Sequence, residues 1–230
     1  MAATKKVILF IVEGPTEETA LGSVFERCFD SDYVRFDVIH GDITSSFSGD
    51  KNPRERVRAA ILDEIERDRG YGWKDLKNVV QICDADGAFI PEERIQESES
   101  AGLVYGADLI LARNAENTRR RNKEKASAMR ALAGIRELTY KRVSVPYAAY
   151  FFSRNMEHAL HGVPDQLGEE DKIELSYQFR KRFVNDLDGF KTLLRSDGIA
   201  VPGDFAGSWA YLAEGVHSLE RGSNLHLLFG

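Results

Sequence analysis

Acidic residues stand just beyond three apolar segments of this chain, and that placement is its first sign of chemistry. Glu13 follows the run Lys6–Val12 (KVILFIV), and Asp84-Ala85-Asp86-Gly87 follows Asn78–Cys83 (NVVQIC). Ser153-Arg154-Asn155-Met156-Glu157 follows Val143–Phe152 (VSVPYAAYFF). Glu17 lies four residues beyond Glu13, where the first turn of a following helix is expected to aim it back at the same place. Hard oxygen donors of this kind suit Mg²⁺ or Mn²⁺, ions that take one or two carboxylates each and keep several waters. At a strand end, residues 84 and 86 are expected to point to the same side. Two carboxylates held together repel and raise each other's pKa unless a cation neutralises them. The alternative for Asp84 and Asp86 is a pair of turn or capping aspartates, with Gly87 supplying the turn.

The elements that must position these residues follow from the pattern of apolar positions. Lys6–Val12 is continuous, apolar and β-branched, as in a strand buried on both faces of a parallel sheet. Gly14-Pro15-Thr16 breaks it, and Thr16–Phe29 reads as a helix with Glu17 and Glu18 at its positive end. Tyr33–His40 alternates as a second strand, and 41–53 is a polar loop. Arg54–Arg69 is helical, and Asn78–Cys83 is a third strand. Pro91–Ser100 reads as a short helix or loop, and Leu103–Ala112 stays open between strand and loop. Ala115–Ile135 is a long helix with a basic first half, and Val143–Phe152 is the fourth strand. Ser153-Arg154-Asn155 could cap the helix after it. Beyond Gly162 the chain reads as helical over Glu169–Asp186, Asp188–Arg195 and Phe205–Leu219. This order predicts an α/β fold, an open sheet over the first 160 or so residues and a helical extension after it. Parallel strands would bring Glu13, Asp84, Asp86 and Glu157 to one edge, outside their carboxyl ends, where open α/β sheets bind ligands.

An N-terminal strand ending in Glu13-Gly14, with Asp84-Ala85-Asp86 closing a later strand, resembles the TOPRIM domain. Topoisomerases, bacterial primases, RecR-type repair proteins and OLD-family nucleases share that domain. The string Val12-Glu13-Gly14-Pro15-Thr16-Glu17-Glu18 is most similar to the nuclease branch, in which an acidic residue four positions after the first glutamate also serves metal binding. Phe152-Ser153-Arg154-Asn155-Met156-Glu157 through His161 is similar to the fourth-strand end of small stand-alone TOPRIM proteins of the RloB and phage-defence groups. The resemblance covers residues 5 to 160. It implies a Rossmann-like, open parallel sheet flanked by helices over residues 1–162, with residues 163–230 packed on it as a helical extension. It also implies hydrolysis of phosphodiester bonds with one or two Mg²⁺ or Mn²⁺ ions. Asp84 and Asp86 would be metal ligands, Glu13 a ligand or general acid–base group, Glu17 a ligand of the second ion and Glu157 a further ligand or a neighbour of one. No Gly-x-x-x-x-Gly-Lys-Ser/Thr loop occurs, so the chain departs from full-length OLD proteins, and an ATPase partner would be a separate chain.

Basic residues crowd the segment between the Asp pair and the fourth strand. Arg119 and Lys123 share a helix face, as do Arg121 and Lys125, and Arg119, Arg120, Lys123 and Lys125 are the candidates for holding nucleic-acid phosphates. The alternative is an ordinary solvated face. Arg54, Arg56 and Arg58 open another helix, and Arg180-Lys181-Arg182 lie beside Tyr177, Phe179 and Phe183, which could stack bases or pack the extension. His158 and His161, near Glu157, could touch a metal or shuttle a proton, or serve as capping and packing residues. Trp73, Trp209, Cys28 and Cys83 read as core, and the apolar end Asn224–Gly230 as docked on the chain or in a homo-oligomer interface.

Composition sets limits. The chain has 230 residues, with 31 Lys+Arg against 37 Asp+Glu and a net charge of -6, which argues against coating nucleic acid by charge alone. A carboxylate site for metal ions adds negative charge of its own and is compatible with that balance. Mean hydropathy is -0.36, and no apolar run approaches the roughly 20 residues of a membrane helix. The apolar run ending at Glu13 is too short for a secretory signal. Two distant cysteines exclude a disulfide scaffold or a cysteine zinc site as the organising feature, and the expected setting is cytoplasmic. Two other functions compete. Val80–Gly87 also resembles the opening motif of haloacid-dehalogenase-type phosphatases, with Asp84 as nucleophile and Asp86 as general acid, but it sits mid-chain, has Ala88 where Thr or Val is usual and leaves Glu13 unexplained. A non-catalytic or partner-activated module binding nucleic acid or protein is the other; it need not retain all of Glu13, Glu17, Asp84 and Asp86.

Overall fold

The computed structural model of the protein describes residues 6–29, 33–38, 52–99 and 102–230. His40 and most of the predicted polar loop, residues 41–51, lie outside the described residues. In chain order the elements are β1 (Val7–Val12), α1 (Pro15–Cys28), β2 (Tyr33–Val38), α2 (Pro53–Asp68) and β3 (Leu76–Asp84). Three short strands follow, β4 (Ile95–Glu97), β5 (Leu103–Tyr105) and β6 (Ile110–Ala112), then α3 (Ala115–Ala133), β7 (Glu137–Tyr140) and β8 (Val143–Phe152). The helices α4 (Glu169–Phe183), α5 (Leu187–Leu194) and α6 (Phe205–Leu212) complete the chain.

Local chemistry accounts for most boundaries. Pro15 opens α1 with its backbone angle already set and with no N–H to leave unbonded. Asn52 caps α2 by accepting from the Glu55 amide at 3.0 Å, and Asn114 caps α3 through the Asn117 amide at 2.8 Å. Asp186 and Asp204 do the same for α5 and α6.

The main sheet has the order β2-β1-β3-β8-β7. β2, β1, β3 and β8 run parallel, and β7 is antiparallel to β8. β1 is buried at every position, so its side chains feed two cores. Leu9 and Ile11 pack with Val57 and Ile61 of α2, Met129 and Leu132 of α3, and Trp209 of α6 on one face. Ile8, Phe10 and Val12 pack with Leu21 and Phe25 of α1, Phe179 of α4 and Phe190 of α5 on the other. The protein is therefore α/β, with helices on both faces of a mixed sheet.

The expected all-parallel sheet thus needs correction at one edge. A single residue, Leu138, carries the inward burial of β7, too little for an alternating pattern to mark the strand. The turn to β8 is the two-residue Lys141-Arg142, both at positive φ (45° and 69°), a hairpin geometry usually flagged by Asn-Gly or Asp-Gly. The ambiguous stretch 103–112 is a hairpin: β5 and β6 pair antiparallel and β4 joins β6, giving a separate three-stranded sheet in the order β4-β6-β5.

β7 covers only the first part of β8. Beyond it, Ser223 Oγ donates to the Phe151 carbonyl at 2.7 Å, Asn224 Oδ1 accepts from the Phe151 amide at 2.9 Å and the Ser153 amide donates to the Gly222 carbonyl at 2.9 Å. The C-terminal residues thereby satisfy a strand edge that would otherwise expose unpaired backbone groups. The last apolar residues dock on the chain itself, with Phe229 5.8 Å from the rings of both Phe25 and Phe29. The predicted helix 205–219 ends at Leu212, and a 3-10 turn, His217–Leu219, follows. No helix among the described residues is long and apolar enough to cross a membrane.

Candidate functional site at the carboxyl ends of the strands

β1, β3 and β8 are neighbours in the sheet and run the same way, so the residues after Val12, Asp84 and Phe152 emerge at one edge. Backbone bonds lock two of these ends together: the Ala85 amide donates to the Phe152 carbonyl and the Asp86 amide to the Arg154 carbonyl, both at 2.9 Å. Asp84 is the last residue of β3. Asp86 then adopts a left-handed backbone, φ 49°, and Gly87 follows at 65°. The expected strand alternation between residues 84 and 86 therefore stops at Asp84, and it is this turn that places Asp86. A left-handed residue other than glycine costs on the order of 1 kcal/mol, a strain that concentrates at functional positions. A side chain at Gly87 would be strained by the positive φ and would bring a Cβ to 2.6 Å from Leu219 Cδ2, so Leu219 would have to shift. Asn122 of α3 fixes the turn from the side by donating to the Gly87 carbonyl at 3.1 Å.

The carboxylates of Glu13, Glu17, Asp84, Asp86 and Glu157 share this edge. Burial, and then the charges of Glu17, Glu13, Asp86 and Glu157, hold the Asp84 carboxyl well above the usual carboxylate range, although part of its surface still opens to a pocket. Glu17 is 7% exposed, and burial followed by the nearby Glu157 pushes its pKa up to about 7, against its own backbone N–H, the Thr16 hydroxyl 3.2 Å away and the charge of Lys172. Glu157 is buried and opens a single π turn, Glu157–His161, a bulged geometry frequent at functional sites.

Lys125 is the cation among these acids. It is 1% exposed, and its Nζ lies 2.6 Å from Asp86 Oδ2 and 3.7 Å from Glu13 Oε2. α3 packs with Thr118, Asn122, Lys125, Met129 and Leu132 inward, so Lys125 flanks the acids and does not stand on the solvated face that was the alternative for it. The other three phosphate-binding candidates stand apart from the carboxylates. Arg119 donates to the carbonyls of Glu92 (3.1 Å) and Ile95 (2.7 Å), Arg120 bonds Asn117 Oδ1 at 3.1 Å, and Lys123 is exposed. Arg119 and Lys123, with Arg130 and Phe89, line a separate cleft of about 160 Å³.

Sequence reasoning missed several groups that the fold brings to the acids. A pocket of about 130 Å³ is lined by Asp84, Asp86, Glu157, Tyr105, Arg154 and Lys172, among others. Tyr105 comes from the small sheet and Lys172 from α4, and nothing local in the sequence ties either to residue 84. Of the histidines, His158 is driven down to about 4 by burial and by the charges of Arg154 and Arg221, and His161 packs edge-on against Phe179 at 5.3 Å. The Asn155 side chain accepts from the His158 amide at 2.8 Å, as expected of a cap.

As donors, these hard carboxylate oxygens fit a divalent ion such as Mg²⁺ or Mn²⁺, and Lys125, Lys172 and Arg154 offset only part of the repulsion among the five acids. Among the described residues no three of them stand in a ready ligand arrangement. Compared with known proteins, the chain matches no family model, no curated protein and no solved structure.

Proposed function

We propose that the protein is a metal-dependent nuclease of TOPRIM type, hydrolysing phosphodiester bonds of DNA or RNA at the carboxyl edge of its parallel strands. One observation carries this reading: carboxylates from the ends of three adjacent strands share one edge, with Lys125 buried between Asp86 and Glu13, and burial and then the neighbours' charges hold the Asp84 carboxyl well above the usual carboxylate range. The crowding of Glu13 and Glu17 against Asp84 favours it over a phosphatase built on Asp84 and Asp86 alone. Asp84, Asp86 and Glu13 would hold the first Mg²⁺ or Mn²⁺, with Glu17 and Glu157 serving a second. When bound, such ions lower the pKa of an attacking water and stabilise the leaving oxygen. Lys125, buried against Asp86 and Glu13, would offset part of the negative charge that builds up beside it. Glu13 is a ligand or the group that moves the proton. Arg120 and Lys123, exposed on α3, would steer the strand, their pull falling as salt rises. The resemblance to the OLD and RloB groups suggests phage defence as the setting and a separate ATPase chain as a partner.

The test is cleavage of plasmid DNA, single-stranded DNA and structured RNA with Mg²⁺ or Mn²⁺, wild type beside Asp84→Ala. Cleavage by wild type that the variant loses supports the reading and names the substrate. Folded, metal-bound wild type that cuts none of them overturns it in favour of a partner-activated or binding module.

A further inference from the structure

We infer that Arg154 anchors a second phosphate of the nucleic-acid strand, the one flanking the phosphate that is cut; the inference rests on the nuclease reading above. Arg154 is the second residue after β8, and its carbonyl takes the Asp86 amide at 2.9 Å, so its backbone is fixed to the Asp pair. Its side chain is only 5% exposed and lines the same pocket as Asp84, Asp86 and Glu157. A guanidinium so deeply buried normally spends its donors on a carboxylate, because an unpaired buried charge is costly. This one does not. Its Nη2 donates to a neutral carbonyl, that of Pro164, its plane lies over the Tyr105 ring with 4.9 Å from Cζ to the ring centre, and its Nε is buried with no hydrogen-bond partner.

The pocket is lined by groups of both signs. Asp84, Asp86 and Glu157 call for cations, whereas Arg154 and Lys172 call for an anion, with Asp165 beside them as the acid a ligand must outcompete. Successive phosphates of one strand meet both demands: the scissile group at the carboxylates and its neighbour at the guanidinium. The planar fork of arginine matches a phosphate with two parallel bonds, which a lysine cannot reproduce. Tyr105 holds the fork in place through its ring, and Arg121 Nη2 in turn reaches the Tyr105 hydroxyl at 3.4 Å.

The experiment reads binding, not cleavage. Fluorescein-labelled single-stranded DNA and RNA ten-mers are titrated with the full chain, without divalent ion, across a salt series, for wild type, Arg154→Lys and Arg154→Met. Mn²⁺ affinity is measured on the same proteins. The expected result is oligonucleotide affinity about 10- to 100-fold weaker for Arg154→Met, the scale of a lost hydrogen bond to a charged group. The slope of log affinity against log salt should fall by about 0.7, one phosphate contact on a single strand. Arg154→Lys should recover the salt slope but not the full affinity, and it carries the test if the methionine variant folds poorly. Mn²⁺ affinity should stay within about twofold of wild type. Unchanged oligonucleotide affinity and slope overturn the inference, as does a parallel loss of Mn²⁺ binding, which marks a structural brace. Wild type that binds neither oligonucleotide overturns it too. Wild type that binds through Arg154 yet cuts nothing supports the anchor and overturns the nuclease reading.

Discussion

Charges on the outer surface and charges at the carboxyl edge of the sheet are handled differently in this molecule. Arg35 on β2 pairs with Asp68 at the end of α2 at 3.2 Å, with side chains 44% and 30% exposed. Arg94 and Asp108 form a pair still more open to water. Such pairs contribute about 0–1 kcal/mol and are screened by salt. At the carboxyl edge, Lys125, Glu157, Arg154 and Glu17 are all buried. Taking each such ion out of water costs several kcal/mol, which a pairing must offset. The left-handed Asp86 falls at the same edge. Desolvated charge and a left-handed residue coincide at this edge, whereas the other left-handed residues besides glycine among the described residues, Arg69, Lys141 and Arg142, stand at a helix end and in a hairpin turn.

That contrast can be broken or sharpened by substitution. The largest effect is expected for Asp84→Ala: metal-dependent cleavage should fall on the order of 10³-fold, while the melting temperature holds or rises because a repelling carboxyl is gone. Activity and thermal unfolding of the same preparation check both halves. Glu17→Gln should come next, with a sign that depends on pH. The folded-state pKa of Glu17 is raised to about 7, so its contribution is intact below the ordinary carboxylate value and is lost as pH rises through 7. In EDTA, urea unfolding should show the glutamine variant near wild type at pH 4.5 and more stable by about 2–3 kcal/mol at pH 8. Lys125→Met should destabilise by about 2 kcal/mol, less than a fully buried pair because its partners' side chains are 21% and 29% exposed. Added Mn²⁺ should return part of that loss in the same unfolding assay. Asp68→Ala, on the outer surface, should change stability by less than about 0.5 kcal/mol.

The acids are legible in the sequence because strand direction alone brings them together. Three apolar runs ending in Glu13, Asp84 and Ser153 put their chemistry on one edge as soon as the strands run parallel, and β1, β3 and β8 do. What was not legible depends on packing between distant segments. Lys125 shares helix spacing with Arg121, but spacing alone does not say which face of α3 meets the sheet. Arg154 looks like any polar residue after a strand, and only burial beneath Tyr105 and Pro164 singles it out. The orientation of Asp86 turns on a left-handed backbone, and β7 on the hairpin turn Lys141-Arg142, which lacks the residues that usually announce one.

The most direct test of the central claim is calorimetric titration of Mn²⁺ into EDTA-treated wild type and into Asp84→Asn at pH 7. Saturable binding by wild type is expected, accompanied by proton release from the crowded carboxyls, with affinity at least about tenfold weaker in the variant. Absence of saturable binding to folded wild type, or equal affinity in the two proteins, would contradict that claim.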